Sequence, residues 1–196
     1  MAKATAKATE TRVAKVCLIF GTRNSGKSYY FLNEFLPVYR AAHPQKKILV
    51  VDTLDHPKYR HIPTITIDML PRWKRPSIYR LYGSNTDEML KAVSKLENTL
   101  LVLEDASKYI PMDLPDWVKR WFLDTKQLGT DVLAMFHGFN WCPPKLCGIA
   151  DIYTIFRTTS PQCRKEQIPN YEATMAAYLK VKNSKQQWPR ETVLMY

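Results

Sequence analysis

Gly21-Thr22-Arg23-Asn24-Ser25-Gly26-Lys27-Ser28, read with the apolar run Val16-Cys17-Leu18-Ile19-Phe20 just before it, decides the fold. The eight residues fit G-x-x-x-x-G-K-[ST], a loop whose backbone N–H groups wrap the α/β-phosphates of a nucleotide. Gly21 and Gly26 take backbone conformations barred to other residues and let the main chain approach the phosphates. In this pattern Lys27 reaches the β- and γ-phosphates and the Ser28 hydroxyl sits on Mg²⁺, while the helix opening there points its positive end at the anion. Thr22, Arg23, Asn24, Ser25 and Tyr29 complete the nucleotide-binding candidates.

The flanks supply the order strand, loop, helix. Val16 to Phe20 reads as a buried parallel strand, and Ser25 to Tyr39 as a helix with Tyr29, Leu32, Phe35 and Leu36 on one face.

A chain of 196 residues suits one well-buried α/β domain and is short for two. The expected division is a loose basic segment over 1–12, the nucleotide-binding domain over 13–166, and a helix and tail over 167–196 that pack on the domain or on a neighbouring subunit. Hydrophobic residues make up 45%, enough for a core, and no apolar run reaches the ~18 residues of a membrane span. The start, MAKATAKATETR, is polar and basic, unlike a secretory signal. Cys17, Cys142, Cys147 and Cys163 lack metal-ligand spacing and read as free thiols of a reducing compartment, the cytoplasm. The formal net charge of +11 points to a polyanionic partner.

Further along, Lys46 to Asp52 reads as a second buried strand, followed by the loop TLDHPKYRHIP and a weaker extended segment near Ile65. After the basic-aromatic stretch PRWKRPSIYRLYG comes a short helix, TDEMLKAVSKL, with Thr86 as its N-cap. TLLVLED is the third strand. Pro115 starts a helix that Gly129 stops, and the strands DVLAMFHG and DIYTIFRT follow. Helices alternating with short buried strands predict an α/β fold, a mostly parallel central sheet with helices on both faces.

Cleaving a phosphate needs acidic groups near Mg²⁺ and the attacking water, at the C-terminal end of a neighbouring strand. TLLVLED ends in Glu104-Asp105, one carboxylate for the metal shell and one to orient or deprotonate water. DVLAMFHG ends in His137, a hydrogen-bond donor at the same rim that can sense the γ-phosphate or position water.

GTRNSGKS, LLVLEDASKYI and KQLGTDVLAMFHGFNWCPPKLCGIADIYTIFRT together resemble the additional-strand (ASCE) P-loop ATPases of the FtsK/HerA superfamily, especially small viral genome-packaging ATPases. The resemblance runs from Val13 to Thr159. It implies a RecA-like P-loop NTPase sheet with the sensor strand between the two Walker strands, ATP with Mg²⁺, and a homo-oligomeric ring, a pentamer or hexamer, acting on double-stranded DNA. By position it makes Lys27 and Ser28 the Walker A pair, Glu104 and Asp105 the Walker B pair with Glu104 at the metal, and His137 the sensor. The superfamily's usual Walker B order is Asp then Glu, so the choice of base between Glu104 and Asp105 stays open. A basic residue donated by the next subunit is implied too, with Arg120, Lys126 and Arg157 as candidates. A capsid vertex protein is a further implied partner, and the host cytoplasm or the virion the implied location.

Arg72, Lys74 and Arg75 lie among the aromatics of PRWKRPSIYRLYG, a mixture that can pair with phosphates and stack on bases. Trp141 and Lys145, in the loop after the sensor, are the second set of DNA candidates. The leading expectation is a motor that hydrolyses ATP to ADP and phosphate and translocates DNA, packaging a viral or mobile-element genome. The alternatives are a filamentous-phage-type morphogenesis or DNA-transfer ATPase, a small-molecule P-loop kinase, and a nucleotide-gated module without turnover.

Overall fold

The computed structural model describes residues 14–196; the loose segment expected over 1–12 lies outside the described residues. Seven strands, β1 (Val16–Phe20), β2 (Lys47–Asp52), β3 (Ile78–Tyr82), β4 (Thr99–Leu103), β5 (Asp131–Phe136), β6 (Ile152–Ile155) and β7 (Glu191–Leu194), form one sheet in the order β3-β2-β4-β5-β1-β6-β7. Every pairing is parallel except β6 with β7. The fold is that of an α/β P-loop NTPase, and β5 runs between β4 and β1, as the resemblance implied.

Both faces of the sheet are covered, which is why β4 and β5 are buried along their whole length. Leu49, Val51, Leu101, Leu103, Val132 and Ala134 face α3 (Thr86–Val93), α4 (Asp116–Asp124) and α5 (Pro144–Ile149). The alternate residues Ile48, Val50, Leu100, Val102, Leu133 and Met135 pack with Phe31, Tyr39, Tyr59 and Ile62.

The helix after the phosphate loop differs from expectation. It runs as α1 (Lys27–Tyr30), a π-helical turn over Phe31–Phe35, and α2 (Leu36–Ala42). Pro37, in the first turn of α2, has no N–H to give and its ring crowds the preceding turn, which widens. The phase therefore slips: Phe31 and Tyr39 are buried, Leu32, Phe35 and Leu36 are half-buried, and Tyr29 is exposed.

Two strands were not legible. Ile78–Tyr82, read only as part of a basic-aromatic stretch, is β3, and Arg80 is buried within it against Asp52 (3.3 Å) and Asp55 (2.7 Å). Trp73 is also buried, its indole N–H donating to Ser77 Oγ at 2.7 Å. The tail expected over 167–196 contains β7, added antiparallel to β6, with α6 (Tyr171–Asn183) packed beside it. A smaller correction concerns α3: its cap is Asn85, whose side chain accepts from the Glu88 N–H at 3.3 Å, and Thr86 is the first helical residue. Among the described residues no helix is long and apolar enough to cross a membrane.

Candidate active site

Parallel register brings the strand ends to one rim. Phe20 aligns with Phe136 and Leu103 with Ala134, so Gly21, His137 and the Glu104-Asp105 pair leave the sheet side by side. Main-chain bonds hold them there: Gly21 N–H donates to Phe136 O (3.0 Å), Thr22 N–H to Arg157 O (2.8 Å) and Glu104 N–H to Val51 O (3.1 Å). The rim encloses a cleft of about 270 Å³ lined by Arg23, Asn24, Lys27, Ser28, Leu54, His56, Glu104, Asp105, Lys108 and His137.

The loop is shaped by its glycines. Gly26 has φ 101°, and a Cβ there would stand 2.9 Å from Trp188; a Cβ on Gly21 would collide with Ser25 Oγ and approach Phe156 Cβ at 2.9 Å. Lys27 folds back onto the loop, its ammonium donating to Gly21 O (2.6 Å) and Thr22 O (3.0 Å). Burial holds its pKa below the usual lysine value, against the pull of Glu104 and Asp105.

The two carboxylates have different surroundings. Glu104 accepts from Ser28 Oγ at 3.4 Å on one oxygen and from the Tyr59 hydroxyl at 2.6 Å on the other. Burial pushes its pKa up, with Tyr59 and then Lys27 opposing. Asp105 sits in the left-handed region (φ 51°, ψ 44°), a conformation Asp tolerates better than most residues and one that clusters at functional sites. Its Oδ1 lies 2.8 Å from His137 Nε2 and its Oδ2 3.2 Å from Lys108 Nζ. The Asp105–His137 contact is close but poorly aligned, so Oδ1 and both ring nitrogens are buried without a hydrogen bond. Desolvation keeps the His137 pKa below its usual value, so the ring is neutral at neutral pH.

These features fit the expected ligands. Hard oxygen donors, Ser28 and Glu104, meet in the cleft, and Asp105 and His137, which also line it, carry buried polar atoms without hydrogen bonds.

Seven of the residues expected from the sequence therefore line one cleft: Arg23, Asn24, Lys27, Ser28, Glu104, Asp105 and His137. Tyr29 stands outside it against Trp188. Tyr59, His56, Leu54 and Lys108 were missed. Lys108 carried a signal, three residues after Asp105; Tyr59 and His56 carried none, because the loop after β2 must first fold back under the sheet rim. That loop is held by Asp52, which accepts from the Leu54 N–H (3.1 Å) and the His56 N–H (2.8 Å).

Arg157 is engaged within its own chain, donating to Ser184 O (3.0 Å) and Gln186 O (2.8 Å). Arg120 is exposed on α4, and Lys126 lies 3.9 Å from Asp151 at the opposite rim. Arg72, Lys74 and Arg75 are exposed ahead of β3, also at that opposite rim, whereas Trp141 and Lys145 follow β5 on the side of the cleft.

Glu104 gives a stability prediction. A carboxyl whose folded pKa is raised stabilises the fold below its unfolded value and loses that contribution as pH rises through the folded value. Glu104→Gln keeps an acceptor for Tyr59 and removes the buried charge. Its Tm should exceed that of the unsubstituted protein by about 2–4 °C at neutral pH, the shift that about 1 kcal/mol produces in a chain of this size. Near pH 4 the gap should close; calorimetry showing the same difference at both pH values would contradict this.

No protein-family model and no curated protein matches the sequence. Solved structures do. The genome packaging NTPase B204 from Sulfolobus turreted icosahedral virus 2, in complex with ATP-gammaS, superposes with a TM-score of 0.72 at 17% identity, covering 93% of this chain and 92% of that one. Its sulfate complex gives a TM-score of 0.73 at the same identity and coverage. The N-terminal domain of zonular occludens toxin from Neisseria meningitidis gives 0.50 at 15% identity, covering 76% of this chain and 79% of that one. At these identities the likeness is one of fold.

Proposed function

We propose that this chain is an ATP-hydrolysing motor of the FtsK/HerA type that moves double-stranded DNA during genome packaging. The observation that carries the reading is the convergence of Lys27, Ser28, Glu104, Asp105 and His137 on one cleft at the C-terminal rim of the sheet. The fold shared with B204, a structure described as a DNA-packaging ATPase, supports the choice of motor over kinase.

Ser28 and Glu104 would hold Mg²⁺, which would supply positive charge beside the phosphates. Tyr59 fixes the Glu104 carboxylate by occupying its second oxygen, leaving the first toward Ser28. Lys27 exchanges the carbonyls of Gly21 and Thr22 for phosphate oxygens. Asp105, with an acceptor free of aligned bonds, takes the proton of the attacking water. The neutral His137 ring orients that water or the γ-phosphate.

Movement would start from the same histidine. His137 leads through Gly138 directly into the turn Phe139–Trp141, where Trp141 is exposed, so a change at the γ-phosphate reaches an exposed aromatic within four residues. Arg72, Lys74 and Arg75 give a basic surface at the opposite rim, and a ring of subunits would bring the exposed Arg120 to a neighbour's cleft.

Double-stranded DNA should raise ATP turnover, and salt should remove the stimulation. A surface neutralising about six phosphates loses roughly 10³-fold in affinity between about 50 and 200 mM salt. Phosphate release assayed with and without duplex, across that range, tests the reading. Turnover indifferent to DNA at low salt, or phosphate transferred to an added acceptor, would overturn it in favour of a kinase.

A further inference from the structure

The phosphate loop has two sides, and only one is explained by the cleft. On the β4 and β5 side stand the acidic pair and His137, the groups that act on the γ-phosphate. On the side of β6 and β7, the segment between α6 and β7 crosses back and sets Trp188 against the loop. Trp188 Cγ stands 2.9 Å from where a Cβ on Gly26 would be, and the Trp188 and Tyr29 ring centroids are 4.9 Å apart at 37°. Both rings are wide, planar and about 40% exposed.

This arrangement is tied down at both ends. Arg157 donates to the carbonyls of Ser184 and Gln186 before Trp188. After it, Arg190 forms a bidentate pair with Glu34 and lies 4.7 Å over the Tyr30 ring. Two exposed aromatics fixed by cationic anchors on both flanks form a platform whose ordering cost is already met in folding. Glu104, Asp105 and His137 take up the β4 and β5 side of that loop, which leaves its other side to a nucleoside. That is the side of Tyr29 and Trp188.

We infer that Tyr29 and Trp188 form the nucleobase subsite, with Trp188 supplying a stacking face from the C-terminal segment. The inference rests on the nucleotide site proposed above and adds a base-recognition element outside the motif. Stacking on an aromatic face recognises the π-system of the base and leaves the phosphates to the loop.

Calorimetric titration of the full chain with ATP, and separately with inorganic tripolyphosphate, tests it. Tripolyphosphate carries the phosphates without a base. Trp188→Ala should weaken ATP binding roughly tenfold or more, the effect of losing one base–aromatic stack. Tripolyphosphate affinity should stay within about twofold, because the loop keeps its own contacts, and W188F should restore most of the ATP affinity. Equal losses for both ligands, or no loss for either, would overturn the subsite. Binding of neither ligand by the unsubstituted protein would instead remove the nucleotide site itself, a separate failure that the unsubstituted protein alone reveals.

Discussion

Replacing Asp105 with asparagine should lower ATP turnover by about 10²–10⁴-fold, the range contributed by a positioned acid–base group, and leave nucleotide affinity nearly unchanged. The two carboxylates divide because their partners differ. Glu104 has both oxygens committed, to Ser28 and Tyr59, whereas Asp105, which lines the cleft, has one oxygen without an aligned hydrogen bond, 2.8 Å from His137. Asparagine fills the same space but accepts no proton and carries no charge toward Lys108 and His137. The variant has a second signature in His137. Asp105 raises the ring's pKa against the desolvation that lowers it, so its loss moves the ring titration to lower pH. Because the folded pKa is depressed, the neutral ring's contribution to stability is present above the unfolded value and lost as pH falls through the folded one. Single-turnover kinetics with nucleotide-binding measurements, and NMR titration of the ring, check both parts. Full turnover in D105N would move the base to Glu104.

Lys27→Ala should have an effect of similar size, about 10²–10³-fold or more in turnover, the loss seen when one preorganised electrostatic donor is removed. Nucleotide affinity should fall as well, by roughly tenfold or more, because a charge-assisted hydrogen bond to phosphate is lost. The ammonium now bonded to Gly21 O and Thr22 O is 8% exposed with the rest of its side chain, and burial already disfavours its charge. Removing it frees two carbonyls but also removes a desolvated cation, so the Tm without nucleotide should change little. Retained turnover in K27A would end the phosphate-loop reading; a collapse of Tm would show that the lysine mainly holds the loop.

The motif and the strands carrying it were legible because each depends on neighbours in sequence. A run such as Leu100-Leu101-Val102-Leu103 is apolar because both of its faces are covered, and the acids that follow mark the rim. Ile78–Tyr82 was hidden because Arg80 reads as a surface charge until Asp52 and Asp55 are seen beside it. Pro37 stood in plain view, yet the turn it widens rotates every later side chain, so the buried face of the first helix was misjudged.

The sequence by itself determined the phosphate loop, five of the seven strands and the three polar side chains ending β4 and β5, because period and spacing act over a few residues. Only the tertiary structure decided that Tyr59 holds Glu104 from 45 positions away and that Trp188 meets Gly26 from the far end of the chain. Those contacts exist because parallel strand order and the returning tail bring distant segments to one rim, and local pattern carries no record of which segments will meet there.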